Sequence, residues 1–389
     1  MREFATTLPI DGYTGWGVYG LNLAMQSLRR GLMPVIVLPP NWGTLHPFDR
    51  AVLSLAEGRR LEFGRQAGEA GGKDLTVEGP VLIALGNQLE HTGLSFDLRG
   101  TSRVGTVFLE DADLSEDGVR KAKTFDKIIV GSSWNERVLR GYGIENTAVV
   151  LQGIDPSLFQ PGRKSGLWDN YFVIFSGGKL EYRKGQDIVI AAVREFQKRH
   201  PEAILAFAWH NNKPRTMTEI ETAGLVSGVP EMQPNGLADF LGWMKLQKVT
   251  RFLDVGPQLN WQMGAILRDV DVAVFPNRAE GGTNLVAMEC MACGIPTILS
   301  ANTGHLDLIS DETCYALTSQ SRPRLTKFFR SVEGWGESSV EELMDTLERV
   351  YRDRDEARRR GAAGAAAMQK ISWERQIGRL LDEIKLGSE

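Results

Sequence analysis

The 389-residue chain is long enough for two domains of ordinary size, and its 42% hydrophobic and 24% charged residues exclude a disordered or low-complexity protein. A formal net charge of -4 advertises no basic face for nucleic acid, and three cysteines, Cys290, Cys293 and Cys314, are too few for a disulfide framework, which fits a reducing, cytoplasmic setting. The opening residues lack the charged-then-apolar order of a secretion signal and no run approaches the ~20 apolar residues that span a bilayer, so any membrane contact is expected to be peripheral.

Short apolar runs alternate with stretches of helical periodicity, which predicts an α/β fold of parallel sheets covered by helices. In the first half, strands are predicted at 4–9, 34–38, 81–85, 104–109, 127–130 and 148–151, with a helix over 16–29. Between the first strand and that helix, Gly15-Trp16-Gly17-Val18-Tyr19-Gly20 matches G-x-G-x-x-G. A dinucleotide site also needs an acid at the end of the second strand, where the sequence instead reads Leu38-Pro39-Pro40. Bulky Trp16 and Tyr19 crowd the segment as well, so it reads as a tight turn or a loop facing a substrate cleft.

Turn formers dominate residues 153–166 and periodicity disappears, which places the domain boundary there. The pattern restarts with a strand at 171–175, a helix at 186–199, strands at 203–209 and near 249–253, a helix at 262–269, a strand at 271–275, a helix near 284–292 and a strand at 296–299. From about 340 to 385 the chain is helical and charged, with Gly361 and Gly364 interrupting it and 352–360 forming a solvated face.

Two segments of the second half carry chemistry. Ser176-Gly177-Gly178-Lys179-Leu180-Glu181-Tyr182-Arg183-Lys184-Gly185 follows a strand; its glycines admit a ligand to the backbone and its cations can neutralise a diphosphate, a basic surface turn being the plainer reading. In the second, a strand ends in a loop carrying Glu280, and Gly281, Gly282 and Thr283 open a helix whose free N–H groups can accept an anion. Glu289, inside that helix, can accept two hydroxyls from a vicinal diol such as ribose.

With these segments the sequence resembles glycosyltransferase family 4, over nearly the whole chain. The glycine-rich segment at 15–20, Gln152-Gly153-Ile154-Asp155 with Phe159 and Pro161, Gly178-Lys179-Leu180 with Lys184-Gly185, and the acid-glycine-helix-acid segment through Gly294-Ile295-Pro296 carry the resemblance. It implies a GT-B architecture, two Rossmann-like domains facing a central cleft: an acceptor-side domain over 1–160, a nucleotide-sugar domain over 161–370, and a helix over 371–389 crossing back to the first. The implied reaction is retaining, hexosyltransferase-type transfer from a nucleoside diphosphate sugar, UDP- or GDP-linked, to a hydroxyl of a saccharide or glycoconjugate, with no metal and no cofactor. A sugar-nucleotide epimerase of the same fold and a non-catalytic nucleotide-sugar-binding subunit are the alternatives.

The resemblance also implies roles. Lys179, where the family usually has Arg, and Lys184 bind the donor diphosphate and stabilise its departure. Glu289 binds the ribose; Glu280, with the backbone of Gly281, Gly282 and Thr283, meets the transferred sugar or its phosphate; Gly178 and Asn284 complete the donor side. Gly15 and Gly17 face the phosphates from the other domain. Two departures stand out: eight residues separate Glu280 from Glu289 where the family has seven, and Phe108-Leu109-Glu110-Asp111 holds no His where many members place one near the sugar. Cys290 and Cys293 read as packing rather than metal ligands, His210 and His305 as either cleft-lining or structural, and Trp16 and Trp261 as the tryptophans nearest a ligand.

Overall fold

The computed structural model describes residues 2–71, 73–93, 96–211 and 213–386; Met1, Asn212 and residues 387–389 of the 371–389 segment lie outside the described residues. The first half builds one parallel six-stranded sheet from β1 (Glu3–Thr6), β2 (Met33–Ile36), β3 (Val81–Leu85), β4 (Arg103–Val107), β5 (Lys127–Val130) and β6 (Thr147–Val149), ordered β2-β1-β3-β4-β5-β6. Every residue of β3 is buried, as expected for a central parallel strand covered on both faces. The helices of this half are α1 (Gly15–Arg29), α2 (Pro47–Ala70), α3 (Glu116–Ala122) and α4 (Ser133–Gly141).

Residues 15–20 are not a loop. The Thr14 hydroxyl accepts the Gly17 N–H at 2.9 Å and caps α1, so the glycine pattern forms the opening turns of that helix. The Asp11 carboxylate fixes the cap by accepting the Thr14 N–H at 2.7 Å and its hydroxyl at 2.9 Å. Helix α2 has no counterpart in the predicted elements, because of its 24 residues only Leu53, Ala56 and Phe63 are buried while Phe48, Leu55 and Leu61 face solvent, which erases the helical period.

The second half repeats the architecture with β7 (Phe172–Gly177), β8 (Ala203–Ala208), β9 (Phe252–Asp254), β10 (Val272–Phe275), β11 (Thr297–Ser300) and β12 (Tyr315–Leu317). Their order, β9-β8-β7-β10-β11-β12, is that of a doubly wound, Rossmann-like α/β sheet. Its helices are α5 (Gln186–Arg199), α6 (Phe240–Leu246), α7 (Asn260–Leu267), α8 (Leu285–Ala292), α9 (Val340–Arg352), α10 (Arg354–Met368) and α11 (Trp373–Glu383). Gly361 and Gly364 do not interrupt: α10 runs through both. A Cβ at 361 would lie 2.2 Å from the Gly294 carbonyl oxygen, so glycine lets α10 sit against the end of α8. Among the described residues no helix is long and apolar enough to cross a membrane.

The chain passes between the halves twice, and the passages touch. Ile154 donates its N–H to the Ile371 carbonyl at 2.9 Å and accepts the Trp373 N–H at 3.0 Å. Gly153 permits this, since a Cβ there would lie 2.5 Å from the Trp373 backbone. Beyond that contact α11 lies on α1: Trp373 stacks on Tyr19 with ring centroids 5.5 Å apart, and Ile377, Leu380 and Leu381 share a core cluster with Phe4, Leu8, Val18 and Leu23.

Candidate active site

The strand order of the second sheet reverses between β7 and β10, so a ligand crevice is expected beyond their carboxyl ends. The two segments singled out in the sequence follow these strands and pack on each other. Gly185, at a φ of 71°, would place a Cβ 2.2 Å from the Pro276 carbonyl oxygen, and only glycine combines that conformation with that approach.

Charges converge where the segments meet. The Lys184 ammonium lies 2.6 Å from Glu280 Oε1, and the Arg183 guanidinium lies 3.3 Å from Glu280 Oε2, 3.2 Å from Glu181 and 2.6 Å from Glu110 of the first half. Lys179 pairs with Glu181 at 3.2 Å. Burial alone would raise the Glu280 pKa, but the adjacent Lys184 and Arg183 charges outweigh it and hold the carboxyl at about 2. Burial pulls the Lys184 pKa below its ordinary value, Glu280 opposing the shift. Glu280, expected to face the sugar, is therefore enclosed by Lys184, Arg183 and Asn277. The predicted cations Lys179 and Lys184 are likewise already paired, and with Arg183 between them they are matched by Glu110, Glu181 and Glu280.

The glycines after Glu280 lie directly under the first half. Ser132 donates its hydroxyl to the Gly281 carbonyl at 2.7 Å, and a Cβ at 281 would lie 2.4 Å from the Leu109 carbonyl oxygen. Gln152 stands between the glycines of the two halves: a Cβ at Gly15 would be 3.7 Å from its Nε2 and one at Gly282 3.2 Å from its Oε1. Trp16 meets Phe108 edge-on at 4.7 Å beside them. Gly15 and Gly282 are thus brought together; Gly17 is not, because the space its side chain would take is filled by the Asp11 carboxylate, 2.2 Å away.

Thr283 is buried, its hydroxyl 2.9 Å from Met288 Sδ, and Asn284, at a φ of 64°, caps α8 and donates to His305 Nε2 at 3.1 Å. His305, also 3.0 Å from the Ser300 hydroxyl, is pushed by burial to about 4. His210 pairs with Asp254 at 2.9 Å. Gly178 adopts a φ of 113° at the head of the cationic segment. Glu289 contrasts with Glu280: burial pushes its pKa up to about 8, against a hydrogen bond from Asn260. Asn260 also donates its backbone N–H to the Gly12 carbonyl at 2.7 Å, and neighbouring Trp261 meets His46 edge-on at 5.3 Å, so Glu289 adjoins a second contact between the halves. Cys290 and Cys293 are buried, unpaired core residues.

Arg183, Glu181, Glu110 and Asn260 belong to this site and were not singled out from the sequence. Arg183 stood in the cationic segment and Glu110 in the place of the absent His, which were the available signals.

Comparison with known proteins places this arrangement. The model of "Family 4 Glycosyltransferase in conflict systems" matches residues 134–380. A D-inositol 3-phosphate glycosyltransferase of Saccharomonospora viridis is 27% identical over 267 residues, 66% of this chain and 54% of that protein. The chain spans about half the length, or less, of such curated relatives, 54% and 36% in two of them. Among solved structures, sucrose-phosphate synthase from Thermosynechococcus elongatus superposes with a TM-score of 0.67 at 19% identity, covering 100% of both chains. HepE from Anabaena, in complex with UDP and glucose, gives 0.64 at 13% identity, covering 99% of this chain and 100% of its own. The fold is GT-B, two Rossmann-like sheets facing one another.

Proposed function

Because the chain belongs to the family 4 glycosyltransferases of conflict systems, we propose that it transfers a sugar from a nucleoside diphosphate sugar to an acceptor hydroxyl, with retention at the anomeric carbon. The observation that carries this reading is the cluster of Lys179, Arg183 and Lys184 at the strand-order reversal of the second sheet, beside the glycines that open α8. The second half holds the donor and the first half the acceptor. The diphosphate lies against the cations and the ribose against Glu289.

Catalysis is electrostatic. The leaving diphosphate gains charge in the transition state, and fixed cations with the first N–H groups of α8 stabilise that charge without reorganising. The cations stand where a metal would otherwise be needed, so no metal is required. The acceptor attacks from the face the diphosphate leaves, and the donor phosphate takes its proton, so no side chain acts as nucleophile. A saccharide or glycoconjugate is the acceptor class, a hexose the transferred sugar and the cytoplasm the setting.

The test is a calorimetric screen of nucleoside diphosphates and then of their sugars, followed by product analysis with saccharide acceptors. UDP, which HepE of Anabaena holds with glucose, comes first and GDP second. Binding of one diphosphate, with turnover that survives a chelator, supports the reading. Absence of binding by every nucleotide, or strict dependence on magnesium, sinks it.

A further inference from the structure

We propose that Glu110 is a positioning residue that keeps the anion site filled: its carboxylate occupies the place on Arg183 that the donor's diphosphate takes, and donor binding exchanges one anion for the other. This rests on the donor reading above and adds to it a specific competitor built into the opposite half.

Arg183 is 2% exposed and surrounded by three carboxylates, Glu110 at 2.6 Å, Glu181 at 3.2 Å and Glu280 at 3.3 Å. Two of these are fixed. Glu280 is held by Lys184 and Asn277, and Glu181 by Lys179 and the Thr216 hydroxyl. The Glu110 carboxylate differs from both: it is 33% exposed against 10% and 6%, it comes from the other sheet, and among the described residues Arg183 is its partner. Its backbone is anchored on both sides, the N–H donating to Asn87 Oδ1 at 2.8 Å and the carbonyl accepting the Trp335 indole N–H at 3.1 Å. The side chain can therefore swing away while the strand end stays in place. Arg183 Nε, moreover, is buried with no acceptor, a donor left over in a site otherwise saturated with carboxylates.

The charge count points the same way. Lys179, Arg183 and Lys184 balance Glu110, Glu181 and Glu280. A diphosphate added to this set with no carboxylate leaving would put uncompensated negative charge into a buried site, which is strongly unfavourable. Release of Glu110 to water offsets one of the two negative charges that the diphosphate of a nucleotide sugar brings and gives Arg183 back its shortest contact. Since Glu110–Arg183 also joins the halves, filling the site weakens one link between them.

The experiment titrates the purified full chain and its Glu110→Gln and Asp113→Asn variants with inorganic pyrophosphate and, separately, with UDP. Asp113 pairs with Arg330 at 3.2 Å, an exposed link between the halves that does not involve Arg183, and serves as control for loosening alone. Glu110→Gln is expected to bind both probes roughly tenfold tighter, about the worth of one charge-assisted contact, with Asp113→Asn within about twofold of wild type. Unchanged or weaker pyrophosphate binding in Glu110→Gln overturns the exchange and leaves the donor reading standing if UDP binds wild type. Equal tightening in Asp113→Asn also overturns it. Tighter pyrophosphate binding with no UDP binding keeps the exchange and removes the donor reading, and failure of both probes on every variant removes both.

Discussion

Past the carboxyl ends of β1 and β3, the first sheet's point of reversal, polar side chains satisfy their own backbone. The Thr6 hydroxyl accepts the Leu8 N–H at 3.2 Å, the Thr7 hydroxyl the Ala84 N–H at 2.9 Å and Asp11 the Tyr13 N–H at 2.8 Å, with no Lys or Arg between Thr6 and Leu28. Past β7 and β10, by contrast, Arg183, Lys184 and Arg278 meet Glu181, Asp187 and Glu280 largely out of solvent. Strand order sets where each sheet can take a ligand; residue type decides which ligand and how rigidly it is met. Buried charges tolerate little displacement, because each must keep its partner, whereas a strand end whose polar side chains cap their own backbone can shift without breaking an ion pair.

The sharpest way to break this contrast is to unpair a charge. Arg278 and Asp187 are both 0% exposed and joined by two hydrogen bonds of 2.8 Å, so Arg278→Met should cost about 3–5 kcal/mol in urea unfolding, against about 1 kcal/mol for Asp11→Asn in the first half. Equal losses would erase the distinction. Next in size, Lys184→Ala should lower kcat by about one to two orders of magnitude, the worth of a charge-assisted contact made to the leaving group. Initial rates at saturating donor read this directly, and a change confined to KM would move Lys184 from transition-state to ground-state binding.

Glu280 and Glu289 sharpen the contrast within one segment. Glu289→Gln should weaken nucleotide binding by about tenfold in calorimetry, having lost an acceptor of two hydroxyls. Because Glu289 keeps its proton up to about 8 in the free protein and ribose hydroxyls favour the ionised form, wild-type nucleotide affinity should rise between pH 6 and pH 8, with proton release, and the Gln variant should show neither. The same two carboxyls also act on stability, with opposite signs. A carboxyl raised from 4.5 to about 8 binds more protons folded than unfolded, so its contribution is full below 4.5 and is lost as pH climbs to about 8; Glu280, lowered to about 2, contributes above 4.5 and loses that contribution as pH falls toward 2. Glu289→Gln should flatten the decline on the alkaline side and leave the acid limb untouched in pH-dependent unfolding.

Much of this was legible in the sequence where burial and punctuation coincide. The bounds of β3 and β5 match those read from their apolar runs, since both are buried between turn residues. Helix α5 was equally plain, whereas α2 buries too few residues to show a period. Glycines misled twice, at 15–20 and at 361 and 364, because the sequence shows that a side chain is missing but not what fills its place: in one case the Asp11 carboxylate, in the other the Gly294 carbonyl. The cations of the second half and Glu280 were visible; the pairing with Glu110 was not, because Glu110 reaches Arg183 from another sheet and only the fold brings them together.

One contact also sets the order in which the molecule is completed. Helix α11 closes the core of the first half, where Ile377, Leu380 and Leu381 pack with Phe4, Leu8 and Val18. On the ribosome the amino-terminal sheet emerges first, yet it cannot bury that surface until residues 373–381 have been made and have left the exit tunnel. The half synthesised first is thus finished last, and its uncovered flank is held open through the whole synthesis of the second half.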